Sequence, residues 1–176
     1  GLRKPRTIEY IAKKANLSVE KAHKLAMELA QIGVCKVYTD EKGKEVFMVQ
    51  IYAPGILEMM VNNAESVKKY PQIGRAFEEY TRLRIAPIAP NLPMGTGMMR
   101  VIPIQSAIDG NMKAVPYEKL SYYLDKYDTF SLSDCSCRRS RRILNQGCGH
   151  LEKDMCIQMG TGAEYYIRTG RGRQVS

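Results

Sequence analysis

Hydrophobic positions in the first fifty residues follow two periods in turn. From Thr7 to Ala15, Ile8, Ile11 and Ala12 recur at helical spacing, and Asn16-Leu17 interrupts them. Val19, Ala22, Leu25, Ala26, Leu29 and Ile32 then mark one side of a second helix, with Ser18 as its N-cap. Lys21 occupies the position where Glu or Gln would reach back, so the capping box is incomplete. Past Gly33 the pattern becomes strand-like. Val34 to Thr39 reads as a strand, Asp40-Glu41-Lys42-Gly43 as a turn and Glu45 to Ile51 as the returning strand. Helix, turn, helix and hairpin predict a winged-helix domain over residues 1–62.

Beyond the hairpin, Pro54-Gly55 ends the strand and opens a helix with Glu58 in its first turn, where negative charge suits the helix dipole. Helical spacing resumes from Ile73 to Leu83, and Pro87, Pro90, Pro93, Gly95 and Gly97 predict a loop. Its Gly95-Thr96-Gly97 has no strand before it and no Lys in register after it, so it is not read as a phosphate loop. These parts form a helical connector over 63–105. Val101 to Ile104 predicts a short edge strand, Pro116 to Tyr127 a helix begun by proline, and Phe130 to Leu132 a strand. A short helix around Ile143-Leu144 and helical candidates at Glu152 to Met159 and Ala163 to Arg168 follow. The fold class expected is α+β: a winged helix, then a mainly helical, cysteine-rich metal-binding domain over 106–176.

Four of the five cysteines, Cys135, Cys137, Cys148 and Cys156, lie in a C-x-C-x10-C-x7-C array. Alternate residues of an extended stretch share a face, so Cys135 and Cys137 supply two sulfurs from one edge, while Cys148 and Cys156 must fold back. Four thiolates suit either zinc or an iron–sulfur cluster, and the spacing matches neither paired C-x2-C zinc sites nor the bacterial ferredoxin run. Two disulfides or ordinary buried thiols are the alternatives. Disulfides belong to oxidising compartments, and no secretory signal segment is visible, so a cytoplasmic setting and a metal are expected. His150 is read as lying beside the site rather than as a ligand. Cys35 reads as a small buried apolar residue, and the ten methionines as core filler.

Charge sharpens this picture. The formal net charge of +9 is concentrated at the chain's two ends. Arg138, Arg139, Arg141 and Arg142 directly follow the first cysteine pair, and Arg168, Arg171 and Arg173 come near the end. Guanidinium groups near thiolates offset their negative charge and raise a cluster's reduction potential, and Arg138 is placed for that second-shell role. Arg139 and Arg142 read equally well as a solvated helix face. No apolar run approaches the roughly 20 residues that span a membrane.

The order of parts resembles the 4Fe-4S ferredoxin-type proteins of anaerobic bacteria and archaea. The resemblance rests on Pro54-Gly55-Ile56-Leu57-Glu58, Val101-Ile102-Pro103, Ser133-Asp134-Cys135-Ser136-Cys137-Arg138, Gly147-Cys148 and Cys156. It implies a winged-helix-like start and a cysteine set formed by Cys135, Cys137, Cys148 and Cys156. Members of that family usually continue into a separate ferredoxin module, and some accompany or fuse to flavin-containing pyridine nucleotide-disulfide oxidoreductases. No ferredoxin run is present here, which suggests a fragment.

The function expected is an iron–sulfur accessory protein for electron transfer in anaerobic redox metabolism, not catalytic alone, that docks a partner oxidoreductase. The alternatives are a structural-zinc protein and a metal- or redox-sensing winged-helix regulator. Base reading is the weaker use of the second helix, because Ser18, Glu20, Lys21, His23, Lys24 and Glu28 are a mixed set for a groove. With two histidines and no G-x-S-x-G elbow, little supports a hydrolase.

Overall fold

The computed structural model describes residues 2–51, 55–85, 87 and 120–176. Its first element, α1 (Ile8–Ala15), ends at Asn16, whose left-handed backbone (φ 53°) turns the chain. Ser18 caps α2 (Val19–Ile32) by accepting the Lys21 amide at 3.3 Å. Gly33 closes this helix at φ 96°, a conformation glycine adopts without a Cβ penalty. A β-carbon there would also stand 2.4 Å from Met59 Cβ, so side-chain absence lets the two segments approach.

Strands β1 (Cys35–Thr39) and β2 (Glu45–Val49) form an antiparallel hairpin in the register Val37↔Phe47. Asp40 stabilises its turn by accepting the Lys42 and Lys44 amides, each at 2.9 Å. Arg6 extends the hairpin through a bridge to Phe47. The returning strand ends two residues earlier than its apolar pattern suggests, at Val49 rather than Ile51.

Three short helices follow: α3 (Leu57–Asn62), α4 (Ala64–Lys69) and α5 (Gln72–Tyr80), which continues into a π-helical turn over Thr81–Ile85. Leu57, Val61 and Phe77 bury together, with Ile73 and Tyr80 against them. The loop expected beyond Pro87, the Val101–Ile104 strand and the start of the Pro116–Tyr127 helix lie outside the described residues, where α6 (Leu120–Leu124) is the part of that helix described.

The cysteine-bearing part departs from a mainly helical plan. Strands β3 (Phe130–Ser133), β4 (Cys156–Met159) and β5 (Gly172–Val175) make an antiparallel sheet in the order β4-β3-β5. The helix expected over Glu152 to Met159 does not form. Asp154 takes a left-handed conformation (φ 55°), and Cys156 to Met159 instead pair with Ser133 to Phe130. Tertiary pairing outweighs helical propensity over so short a stretch.

Two helices flank this sheet in sequence, α7 (Ser136–Ile143) after β3 and α8 (Thr161–Arg168) after β4. α8 packs across all three strands and also against β1. Its Tyr165 and Tyr166 enter the same core as Ile8, Ala12, Ala22, Ala26, Ala30, Cys35, Val37 and Phe47. Large aromatics of this kind each bury about 150–250 Å², on the order of 4–6 kcal/mol as an upper estimate, so α8 is a principal tie between the chain's two ends. Among the described residues no helix is long and apolar enough to cross a membrane.

Candidate metal centre

β3 runs directly into the site. Cys135 follows Ser133-Asp134, leaves the strand in an extended conformation (φ −78°, ψ 110°) and becomes the N-cap of α7. Cys137 therefore lies in the helix's first turn. The register Ser133↔Cys156 brings the fourth cysteine of the array beside them, since Cys156 opens the strand that pairs with β3. Ser131, Ser133, Cys156 and Gln158 share one face of the sheet. On that face Ser131 Oγ donates to Gln158 Oε1 at 3.0 Å, and Gln158 Nε2 donates to Ser133 Oγ at 2.9 Å.

Three cysteines are neighbours as a result, and Cys135 acts on the thiols of both Cys137 and Cys156. Burial, followed by neighbouring Cys135, pushes the Cys156 thiol up to about 12; Cys137 adds to this and Arg138 opposes it. Cys137 lies at the surface, yet its thiol is also raised, first by the protein packed around it and then by Cys135, with Glu58 and Glu78 contributing. The Tyr166 hydroxyl is raised for the same leading reason, burial, with Cys156 next. These shifts favour the neutral thiol at Cys137 and Cys156.

Cys148 is placed differently. It is exposed, in the segment between α7 and β4. Among the described residues no group of three or more His, Cys, Asp or Glu side chains stands close enough to hold a metal ion. Thiolates are ligands for thiophilic metals, but the four cysteines do not stand as a ligand set in this structure. Cys35 is buried in the N-terminal core, away from this group.

The arginines divide by environment. Arg139 is not on a solvated face but is buried, with its side chain 8% exposed. Its Nη1 donates to the carbonyls of Val61 (3.2 Å) and Asn62 (2.6 Å), Nη2 to Asp134 Oδ2 (2.6 Å) and Nε to Glu152 Oε1 (3.3 Å). The helical pattern concealed this because charge alone argues for solvent, and the acids that pay its desolvation lie at residues 134 and 152.

Arg138 donates from Nη1 to the Leu151 carbonyl at 2.5 Å, and its charge favours the Cys156 thiolate. Arg142 is largely exposed; its Nη2 donates to the His150 carbonyl at 3.2 Å. His150 itself is exposed. Arg141 reaches instead to buried Glu78, with Nε 3.0 Å from Oε2, while Glu78 Oε1 accepts from Ser140 Oγ at 2.7 Å.

Further contacts tie α3 to the site. Ser136 Oγ donates to the Glu58 carbonyl at 3.3 Å, Asn62 Nδ2 donates to the Asp134 carbonyl at 2.8 Å, and the Gly55 amide donates to the Glu58 carboxylate. Sequence reading assigned Glu58 to the dipole of its own helix. Its field also reaches Cys137 and Tyr166, which no local signal in the chain reveals. No family model, curated protein or solved structure matches the chain.

Proposed function

We propose that this chain is an iron–sulfur accessory protein of electron transfer, in which Cys135, Cys137, Cys148 and Cys156 supply the thiolates. One observation supports this most: the register Ser133↔Cys156 brings the last cysteine of the array beside the strand that leads into Cys135 and Cys137, from the far side of a long return segment. A cation that several sulfurs share would have to displace their protons, so its binding should strengthen as pH rises. A bound 4Fe-4S cluster would supply reversible one-electron storage; zinc at the same sulfurs would supply structure alone.

The protein's own residues have distinct tasks in this reading. Arg138 offsets negative charge at Cys156, and Cys135 and Cys156 are both partly shielded from solvent. Reduced cysteines suit a cytoplasmic protein. The N-terminal helix pair and hairpin are read as a winged helix that docks a partner oxidoreductase, a flavin-containing pyridine nucleotide-disulfide enzyme being one such partner. Supporting docking over base reading, Leu25, Leu29 and Ile32 of α2 are exposed and apolar.

The test is elemental and spectroscopic analysis of protein made and purified without oxygen. Iron and sulfide, with visible absorption that bleaches on reduction, are the expected result. Zinc alone, filling one site per chain, would leave a structural centre and remove the redox role. Protein with neither metal, and unable to take up either, would overturn both.

A further inference from the structure

The N-terminal core is not completely filled. Between α1, α2 and the β1–β2 hairpin lies a cavity of about 140 Å³, and every residue lining it is apolar. Its floor is formed by Ala22, Ala26, Cys35 and Phe47, all buried. Its outer wall includes Leu25 and Leu29 of α2, both exposed. A cavity with a buried floor and exposed walls is reached from solvent, here past two leucines.

Small side chains make the space. Ala22 and Ala26 lie one turn apart on the inner side of α2, where longer apolar residues would fill the gap. Protein interiors pack as densely as organic crystals, with few voids larger than a water molecule, so atoms around a space of this size lack part of their dispersion contacts. Water is a poor substitute, because an ordered water needs polar partners and these walls offer almost no polar surface. The Cys35 thiol is pushed up by burial and stays a neutral, weakly polar group at the floor.

Size and lining together define an occupant. An apolar cavity of about 150 Å³ stays dry and holds a molecule the size of benzene. Phe47 favours a ring in particular: it already receives His23 edge-on, with centroids 5.8 Å apart, and aromatic pairs gain from such geometry. We propose that this cavity is a binding site for a small, neutral, apolar molecule of about one six-membered ring, which enters past Leu25 and Leu29 and rests on Phe47 and Cys35. None of Cys135, Cys137, Cys148 and Cys156 lines it, so this site and a metal centre stand or fall separately.

Benzene is the probe, titrated into the reduced full chain and followed by backbone amide chemical shifts. Saturable shifts centred on α1, α2 and the hairpin are expected, with a dissociation constant on the order of 1 mM, which burial of a single ring permits. Ala26→Leu puts a branched side chain into the space and should weaken binding at least about tenfold. Ala22→Val fills less of it, should weaken binding by a smaller factor, and keeps the comparison open if the larger substitution fails to fold.

Cys35 supplies a reading that needs no substitution. Benzene at about ten times its dissociation constant should slow the reaction of Cys35 with methyl methanethiosulfonate about tenfold, followed by peptide mapping. The exposed Cys148 should react at an unchanged rate and serves as the internal control. Wild-type protein without saturable shifts, or with equal affinity in the filled variants, would overturn the site. So would a Cys35 rate indifferent to benzene.

Discussion

The Tyr165 hydroxyl donates to the Ala30 carbonyl at 2.8 Å, so α8 is fastened to the last turn of α2 across most of the chain's length. Arg171 Nη1 approaches the same carbonyl at 3.3 Å and Nη2 donates to Gln31. α2 has no basic residue in its own last turn, and Arg171 supplies that charge from a distant position. Tyr165→Phe leaves the packed ring but removes the bond. Its expected cost is about 1–2 kcal/mol, seen as a lower urea midpoint at unchanged slope. An unaltered midpoint would contradict this fastening.

Arg139 and Arg142 are both arginines on α7, and their truncations should differ sharply. Arg139→Ala removes a partner from Asp134 and Glu152 and leaves the carbonyls of Val61 and Asn62 without this donor, at a cost of about 2–3 kcal/mol. Arg142, 56% exposed, should cost less than about 1 kcal/mol. Chemical denaturation of the two metal-free variants measures the gap. Similar losses would contradict a structural role for the buried Arg139.

Two glycines make close approaches of different kinds. A β-carbon at Gly33 meets Met59 Cβ at 2.4 Å, an atom fixed to its backbone, and the position also needs φ 96°. At Gly74 the nearest atom is Ile143 Cδ1 at 2.5 Å, the movable end of a side chain. Gly33→Ala should therefore cost more than about 1 kcal/mol and exceed Gly74→Ala. Thermal melts that rank them in the opposite order would refute the assignment.

What the chain disclosed in advance followed from local pattern. Ser18 and Gly33 delimit α2 through cap chemistry that needs no tertiary partner, and Asp40 to Gly43 turn the hairpin by the same kind of local bonding. What stayed hidden depends on distant residues. The chain's local pattern predicts helix over Glu152 to Met159, whereas Cys156 to Met159 become a strand only when β3 is beside them. Leu151, Lys153, Met155 and Ile157 do alternate outward in the folded chain, a period-two signal that helical expectation passed over. The same limit hid Arg139, whose partners at Val61, Asn62 and Glu152 lie far away in sequence. The extended stretch expected to put Cys135 and Cys137 on one face is not formed, because Cys137 lies in α7, and the position of Cys156 required the sheet register.

Metal-free protein should respond to alkaline pH through Cys156. Its thiol is raised from an ordinary value of 9.0 to about 12, so the folded state holds this proton more firmly than the unfolded chain. The stability this provides is fully present below about pH 9 and is lost as pH rises towards about 12. Unfolding midpoints of wild type should therefore fall more steeply across that window than those of Cys156→Ser. Parallel curves would argue against the crowded thiol environment.

X-ray absorption at the iron edge, on protein isolated without oxygen, addresses the centre most directly. The account predicts a first shell of sulfur neighbours at about 2.3 Å, with short iron–iron scattering from a cluster, and loss of both in Cys135→Ser and Cys156→Ser variants. A shell of oxygen and nitrogen alone, or a sulfur shell indifferent to those substitutions, would contradict it.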